Sequence, residues 1–303
     1  MRHSYSDIKR NIKEQILLYS IIPDDELGQC FICDYWIVME EINYANINKN
    51  DVVLEIGPGI GTLTEFLAQR ANKVIAIEKD LQFKDMLLEL QKKYNNIDII
   101  YADALNIDFP KFNKVVSNLP FKIALPLVFK ILEYNFDVAV VICQERLARR
   151  ICAKPGQKGY SRLSVQISRV SDTNFLKVIP PSAFYPSPKV ASAMIKLKKI
   201  SSKFKVPSEE FFIEILKFLF AMRENTLQEA ISILVKVGIP YSRVKKVKNS
   251  IGKYILRKPI YTISPREFGK ITRILWGEFG ESIVKYFYKF YEQRNLYKKR
   301  DKQ

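Results

Sequence analysis

The stretch DVVLEIGPGIGT, residues 51–62, decides the fold. Residues 51–56 are a short, largely apolar run, which ends at glycines 57, 59 and 61. Residues 62–71 then place Leu63, Phe66 and Leu67 at helical spacing. That is strand, glycine turn, helix. The same unit recurs downstream. A β-rich run at 73–77 ends at Glu78, one at 97–101 runs into Ala102-Asp103, and one at 114–117 ends at Asn118-Leu119-Pro120-Phe121. Residues 136–143 make a fifth. Strands that are apolar on both faces and alternate with helices predict an α/β fold, with a Rossmann-like parallel sheet covered on both sides. A late strand is expected at 190–197, paired with one around 175–179.

Past a polar, basic linker at 198–207 the periodicity changes. Phe211, Phe212, Ile215, Leu216, Leu219 and Phe220 form a helical stripe behind Ser208 and two acidic first-turn residues. Ser264, Pro265 and Glu267 spell a capping box that opens a later helix. The expected organisation is therefore an α/β domain over 1–200, with 1–25 as an N-terminal extension, and a smaller C-terminal helical domain over 205–303. The charged end, 292–303, is expected to be mobile.

Composition removes whole classes of chemistry. The single histidine, His3, leaves no Ser-His-Asp or Cys-His unit and no His-ligated metal, so no metal is expected. The four cysteines contain one close pair, Cys30 and Cys33, too few for a zinc ribbon; reduced thiols are expected. No apolar run approaches the ~20 residues of a membrane helix. Charges at Asp7, Lys9, Arg10, Lys13 and Glu14 stand where a signal peptide would be apolar, so a cytoplasmic protein without membrane attachment is expected. The net charge is +17, and residues 205–303 hold 21 basic against 10 acidic residues. Such a field draws polyphosphate backbones.

The distinctive residues fall where ligands of open parallel sheets bind, outside the carboxyl ends of the strands. The glycine loop lets backbone approach a ligand closely, but Thr62 occupies the position where the dinucleotide fingerprint requires a third glycine. A nucleoside with a zwitterionic tail suits the loop better than a pyrophosphate. Glu78, 21 residues after Gly57, stands at the offset for accepting ribose hydroxyls, and Asp103 can accept from an adenine amino group. Asn118-Leu119-Pro120-Phe121 is the most telling tetrapeptide. An adenine N6 lone pair is delocalised into the ring and becomes a nucleophile only when acceptors hold both its hydrogens. The Asn118 side-chain oxygen and the Leu119 or Pro120 carbonyl can do so, while Phe121 stacks on a flipped base. No strong base or metal is required, in keeping with the missing histidines.

Together these residues resemble the small-subunit ribosomal RNA adenine N6-dimethyltransferases of the KsgA type. The marks are Leu27-Gly28-Gln29-Cys30-Phe31, Glu55-Ile56-Gly57-Pro58-Gly59-Ile60-Gly61, the Asn118 tetrapeptide, Tyr160-Ser161-Arg162-Leu163-Ser164, and Phe184-Tyr185-Pro186-Ser187-Pro188-Lys189-Val190. The resemblance implies an S-adenosylmethionine-dependent methyltransferase with cofactor contacts at Gln29, Cys30, Ile32, Gly57, Gly59, Glu78, Asp103 and Asn118. It implies catalysis at Asn118 and Pro120, with Phe121 and Phe184 sandwiching the target adenine. The implied activity is dimethylation of two adjacent adenosines near the 3′ end of small-subunit ribosomal RNA, on the RNA or the small ribosomal subunit, by a monomer with a role in ribosome biogenesis.

Some positions depart from the family pattern. Cys30 stands where the family usually has Asn or His, Phe121 where Tyr is usual, and Ala191 where Asp is usual; Asp24-Asp25-Glu26 is acidic, and 220–225 is less basic than in relatives. RNA contacts are expected instead from Arg146, Arg149 and Arg150, which share one helical face, and from Lys154, Lys158 and Arg162, with Lys245, Lys246, Lys248, Lys253, Arg257 and Lys258 as a second group. Two alternatives remain at this stage: a catalytically weak ribosome-assembly factor on the same fold, and an adenine methyltransferase acting on large-subunit RNA or DNA.

Overall fold

The computed structural model describes residues 5–24 and 27–300, so His3, Asp25, Glu26 and residues 301–303 lie outside the described residues. The chain divides into two compact units. The first comprises Met1–Cys152 and Ser171–Ile200, the second Ala153–Val170 and Ser201–Gln303.

In the first unit, α1 (Tyr5–Leu18), β1 (Phe31–Ile32) and α2 (Tyr35–Ala45) precede β2 (Val52–Ile56), the strand of the opening stretch. Then follow α3 (Thr62–Ala68), β3 (Lys73–Glu78), α4 (Lys84–Lys93), β4 (Ile97–Tyr101), β5 (Lys114–Asn118), α5 (Ala124–Glu133), β6 (Val138–Gln144) and α6 (Glu145–Cys152). After α7 (Arg162–Val170), which belongs to the second unit, come β7 (Ser171–Ile179), β8 (Phe184–Tyr185) and β9 (Ser192–Lys199). The seven-stranded sheet has the order β4-β3-β2-β5-β6-β9-β7. Its five strands from β4 to β6 are parallel, with Leu54 opposite Ile75 and Val115 opposite Ala139. β9 and β7 add an antiparallel end, with Ile142 opposite Met194 and Phe175 opposite Ile195. The late strand pair read from the sequence is therefore present, and its direction makes the sheet mixed.

The chain leaves β2 toward β3 on one side and returns to β5 on the other. The carboxyl ends of β2 and β5 thus flank the topological switch point, where open α/β sheets bind ligands. Val53, Leu54, Val74, Val115, Val116, Val140 and Val141 are wholly buried in the sheet, as expected for strands covered on both faces. Burial pushes the Cys143 and Cys152 thiols up to about 12.

The second unit is helical: α7, α8 (Glu209–Phe220), α9 (Leu227–Lys236), α10 (Tyr241–Ile251), α11 (Lys253–Leu256), α12 (Pro265–Phe279) and α13 (Val284–Arg300). Ser208 caps α8 by accepting from the Phe211 N–H, and Ser264 with Glu267 forms the capping box of α12. One expectation needs correction here. The units do not divide at a single boundary near 200, because 153–170 packs with the helical unit. Tyr160 is buried there and its hydroxyl donates to the Ile263 carbonyl at 2.8 Å, while Arg223 donates to the carbonyls of Tyr160, Gln157 and Lys158. α13 runs to Arg300, with the Arg294 guanidinium on the Ala221 carbonyl.

Candidate active site

At the switch point β2 ends in a loop that only glycine tolerates. Gly57, Gly59 and Gly61 all have positive φ. A Cβ on Gly59 would stand 2.9 Å from the Phe31 ring, and one on Gly57 would stand 3.4 Å from Pro120. The loop therefore lies directly against the Asn118 tetrapeptide. Ser117, one residue earlier, ties the two strand ends together by donating to the Ile56 carbonyl at 2.7 Å.

These segments enclose a cleft with about 1120 Å³ of atom-free space, its open mouth included. Gln29, Cys30, Ile32, Gly57, Gly59, Glu78, Asp103, Asn118, Pro120, Phe121 and Phe184 all line it. Residues spread over more than 150 positions thus converge on one cavity, as the sequence reading expected.

Glu78 ends β3 and is 6% exposed. Its carboxylate accepts N–H groups from Gly59 at 3.0 Å and from Lys79 and Asp80 at 2.8 Å. Burial raises its pKa against the pull of these three donors. Asp103 accepts from the Leu105 N–H and the Lys79 ammonium, each at 2.9 Å, and these hold its pKa below the usual range. It thus closes the turn after β4 while it also lines the cleft. The polar ends of Gln29 are already engaged, accepting from the Asp24 N–H and donating to Asp80, so this side chain braces the wall. Burial opposes ionisation of Asp80, but the Gln82 N–H and the Gln29 and Gln82 side chains outweigh it and lower its pKa.

Phe184 is almost wholly buried in β8, held by pairing with Ile32 of β1, and Phe121 is half-buried on the opposing loop. The two-residue β1–β8 ladder was not foreseen, since such short strands carry no periodicity. The Asn118 side-chain oxygen is buried and accepts no hydrogen bond. An amide acceptor without a donor, at the mouth of a glycine cradle, is the feature most suited to an amine hydrogen.

Two acidic residues were missed as site residues. Glu55, the first residue of the glycine motif, is 2% exposed and lines the cleft. Burial pushes its pKa up to about 8, with the Thr64 hydroxyl pulling it down and the Glu78 carboxylate adding to the rise. Glu41 of α2 is fully buried, and neither of its oxygens has a hydrogen bond. A signal for it existed: it falls on the stripe of Ile37, Val38, Ile42 and Ala45, where a helix facing a sheet should be apolar. Among the described residues no cluster of His, Cys, Asp and Glu could hold a metal, and no helix is long and apolar enough to cross a membrane.

The basic candidates do not line the cleft. Arg146 and Arg149 are exposed on α6, with Arg149 paired to Glu145 and lying 4.9 Å over the Phe175 ring. Lys154, Lys158 and Arg162 are exposed in the second unit. There too Lys246 pairs with Glu278 and Lys258 with Glu267, while Lys248 donates to Ser232.

Comparison with known proteins places this geometry. The family profile described as "Ribosomal RNA adenine dimethylase" matches residues 24–252. The chain is 40% identical over 257 residues to the protein named "Probable ribosomal RNA small subunit methyltransferase A" of Methanococcus maripaludis strain C7, covering 84% of this chain and 98% of that one. It is 38% identical over 270 residues to the protein of the same name from Methanosphaera stadtmanae, covering 88% and 98%. Among solved structures, a dimethyladenosine transferase from Plasmodium falciparum superposes with a TM-score of 0.72 at 27% identity, over 82% of this chain and 98% of that one. The 23S rRNA methyltransferase ErmE superposes at 0.63 and 25% identity, over 81% and 99%.

Proposed function

Because this chain belongs to the ribosomal RNA adenine dimethylase family, and is thereby an S-adenosylmethionine-dependent rRNA adenine dimethyltransferase, we propose that its substrate is small-subunit ribosomal RNA. The reading extends to two adjacent adenosines near the 3′ end, each dimethylated on N6 during small-subunit assembly in the cytoplasm, by a monomer. The small-subunit reading is supported by the 40% identity to a protein named for that substrate, and the unpartnered Asn118 oxygen beside the glycine cradle carries the amine chemistry.

The residues present fit the cofactor. The positive-φ glycines offer backbone at close range, Glu78 stands ready at a strand end for ribose hydroxyls, and Asp103 for an adenine amino group. Gln29, Cys30 and Ile32 supply the facing wall; without the usual Asn or His, Cys30 would make its contact through backbone. S-adenosylmethionine, when bound, supplies an electrophilic methyl group on a sulfonium. The protein's part is to present the nucleophile. The Asn118 oxygen and the Leu119 or Pro120 carbonyl accept the two amine hydrogens, which favours a pyramidal nitrogen with its lone pair free. Phe121 and Phe184 hold the base plane. The N–C bond would form as the methyl–sulfur bond breaks to leave a neutral thioether, and the methylated, cationic amine would then lose one proton to solvent, so no side chain need act as a strong base. Arg146, Lys154, Lys158 and Arg162, all exposed, suit phosphate contacts that position the RNA.

The test is methyl transfer from labelled S-adenosylmethionine to unmethylated small subunits, naked small-subunit RNA, large-subunit RNA and DNA, followed by nucleoside analysis. Dimethyladenosine in small-subunit RNA is the expected product, and Asn118→Ala should abolish it while cofactor affinity stays within about threefold. Transfer confined to large-subunit RNA or DNA overturns the substrate. Turnover by Asn118→Ala removes Asn118 from the mechanism.

A further inference from the structure

Behind the cleft lies a buried group that the mechanism above does not use. Glu41 sits in the apolar stripe of α2, packed on the sheet, with no exposed surface and no hydrogen bond to either carboxyl oxygen. An ionisable side chain in that position is a liability to folding, since nothing compensates its lost hydration. Its immediate polar neighbour is the Asn118 side-chain amide, which favours the ionised carboxyl, while Glu55 is the charged group facing it and disfavours ionisation. Two orphaned polar groups, the Glu41 carboxyl and the Asn118 oxygen, thus stand on adjoining elements, Asn118 lining the cleft and Glu41 behind it.

We propose that Glu41 is a positioning residue for Asn118, holding the amide nitrogen so that the side-chain oxygen faces the amine of the target base. The inference rests on the reading of Asn118 as the amine acceptor. An asparagine side chain has an acceptor at one end and donors at the other, and the ends exchange by a half-turn. Facing an exocyclic amine, only one orientation is useful, because the other sets N–H against N–H. An acceptor behind Asn118 selects between them: the carboxyl attracts the NH2 end and leaves the oxygen directed into the cleft. The hydrogen bond between them is to form with substrate in place, as catalytic contacts commonly tighten then. Protonated or ionised, Glu41 keeps an oxygen that can accept, so its function does not depend on charge. Lys114, buried at the far end of the same helix, donates to the carbonyls of Ala45 and Asn46 and holds α2 in register with β5, the strand that carries Asn118.

The test compares Glu41→Leu, Glu41→Gln and Asn118→Ala for cofactor Kd, RNA KM, kcat and Tm. Glu41→Leu should lower kcat by about 10- to 100-fold, with Kd and KM within about twofold, because misorientation of one group costs turnover and not binding. Its Tm should not fall, since a buried acid has been replaced by an apolar side chain in an apolar stripe. Glu41→Gln, which keeps an oxygen that can accept from Asn118, should recover kcat to within about threefold of the parent. Wild-type kcat in Glu41→Leu, a loss that appears in cofactor Kd instead, or a Glu41→Gln protein as slow as Glu41→Leu overturns the proposal. Inactive Asn118→Ala beside fully active Glu41→Leu defeats this inference alone. Active Asn118→Ala defeats the functional reading on which it rests.

Discussion

Replacing Glu55 by glutamine should stabilise the first unit, and by an amount that depends on pH. Burial raises this carboxyl from an ordinary 4.5 to about 8. Below pH 4.5 native and unfolded chains both hold the proton, and the group contributes no penalty. As the pH rises toward 8, the unfolded chain ionises while the native one retains the proton, so stability is lost; above 8 both are ionised and the loss levels off. At about 1.4 kcal/mol per pH unit, wild type should fall behind Glu55→Gln by roughly 1 kcal/mol at pH 5 and on the order of 4–5 kcal/mol at pH 9. Glu41 and Glu78 are coupled to Glu55 by charge repulsion and ionise more readily without it, which widens the gap in the same direction. The assay is urea unfolding across this range, with Trp276→Phe in both proteins so that Trp36 reports on the first unit. Parallel stability curves, with a gap that does not widen with pH, would refute the reasoning, for Glu55 would then titrate as an exposed carboxylate.

Two further outcomes follow from the hydrogen-bond network. Glu78→Ala removes the acceptor of three backbone N–H groups, one of them in the glycine loop, and should weaken S-adenosylmethionine binding by at least about tenfold, measured calorimetrically; an unchanged Kd would end its assignment to the cofactor. Tyr160→Phe leaves the buried Ile263 carbonyl without its donor and should cost the helical unit about 1–3 kcal/mol, seen as earlier unfolding of that unit with cofactor affinity untouched.

Much of the site was legible in the chain because its signals are local. Gly57, Gly59 and Gly61 mark a turn that L side chains cannot make, and Asn118 and Pro120 mark a strand end. The apolar runs around them need only neighbouring residues to be read. The caps at Ser208 and Ser264 were readable for the same reason. Glu78 and Asp103 were placed correctly at the cleft, yet their partners were not: which N–H groups reach a carboxylate depends on how two loops meet.

What the sequence by itself determined is the alternation of strands and helices, the glycine turn and the residue types able to present an amine without a base, all of which follow from backbone geometry and periodicity over a few residues. The tertiary structure alone decided that 153–170 packs with the helical unit, that Phe31–Ile32 and Phe184–Tyr185 form a ladder beside the cleft, and that Glu41 and Glu55 are buried, Glu41 beside Asn118. Burial is a property of everything that surrounds a side chain. A glutamate becomes a high-pKa group or an orienting acceptor only when elements distant in the chain close over it, and no local pattern carries that information.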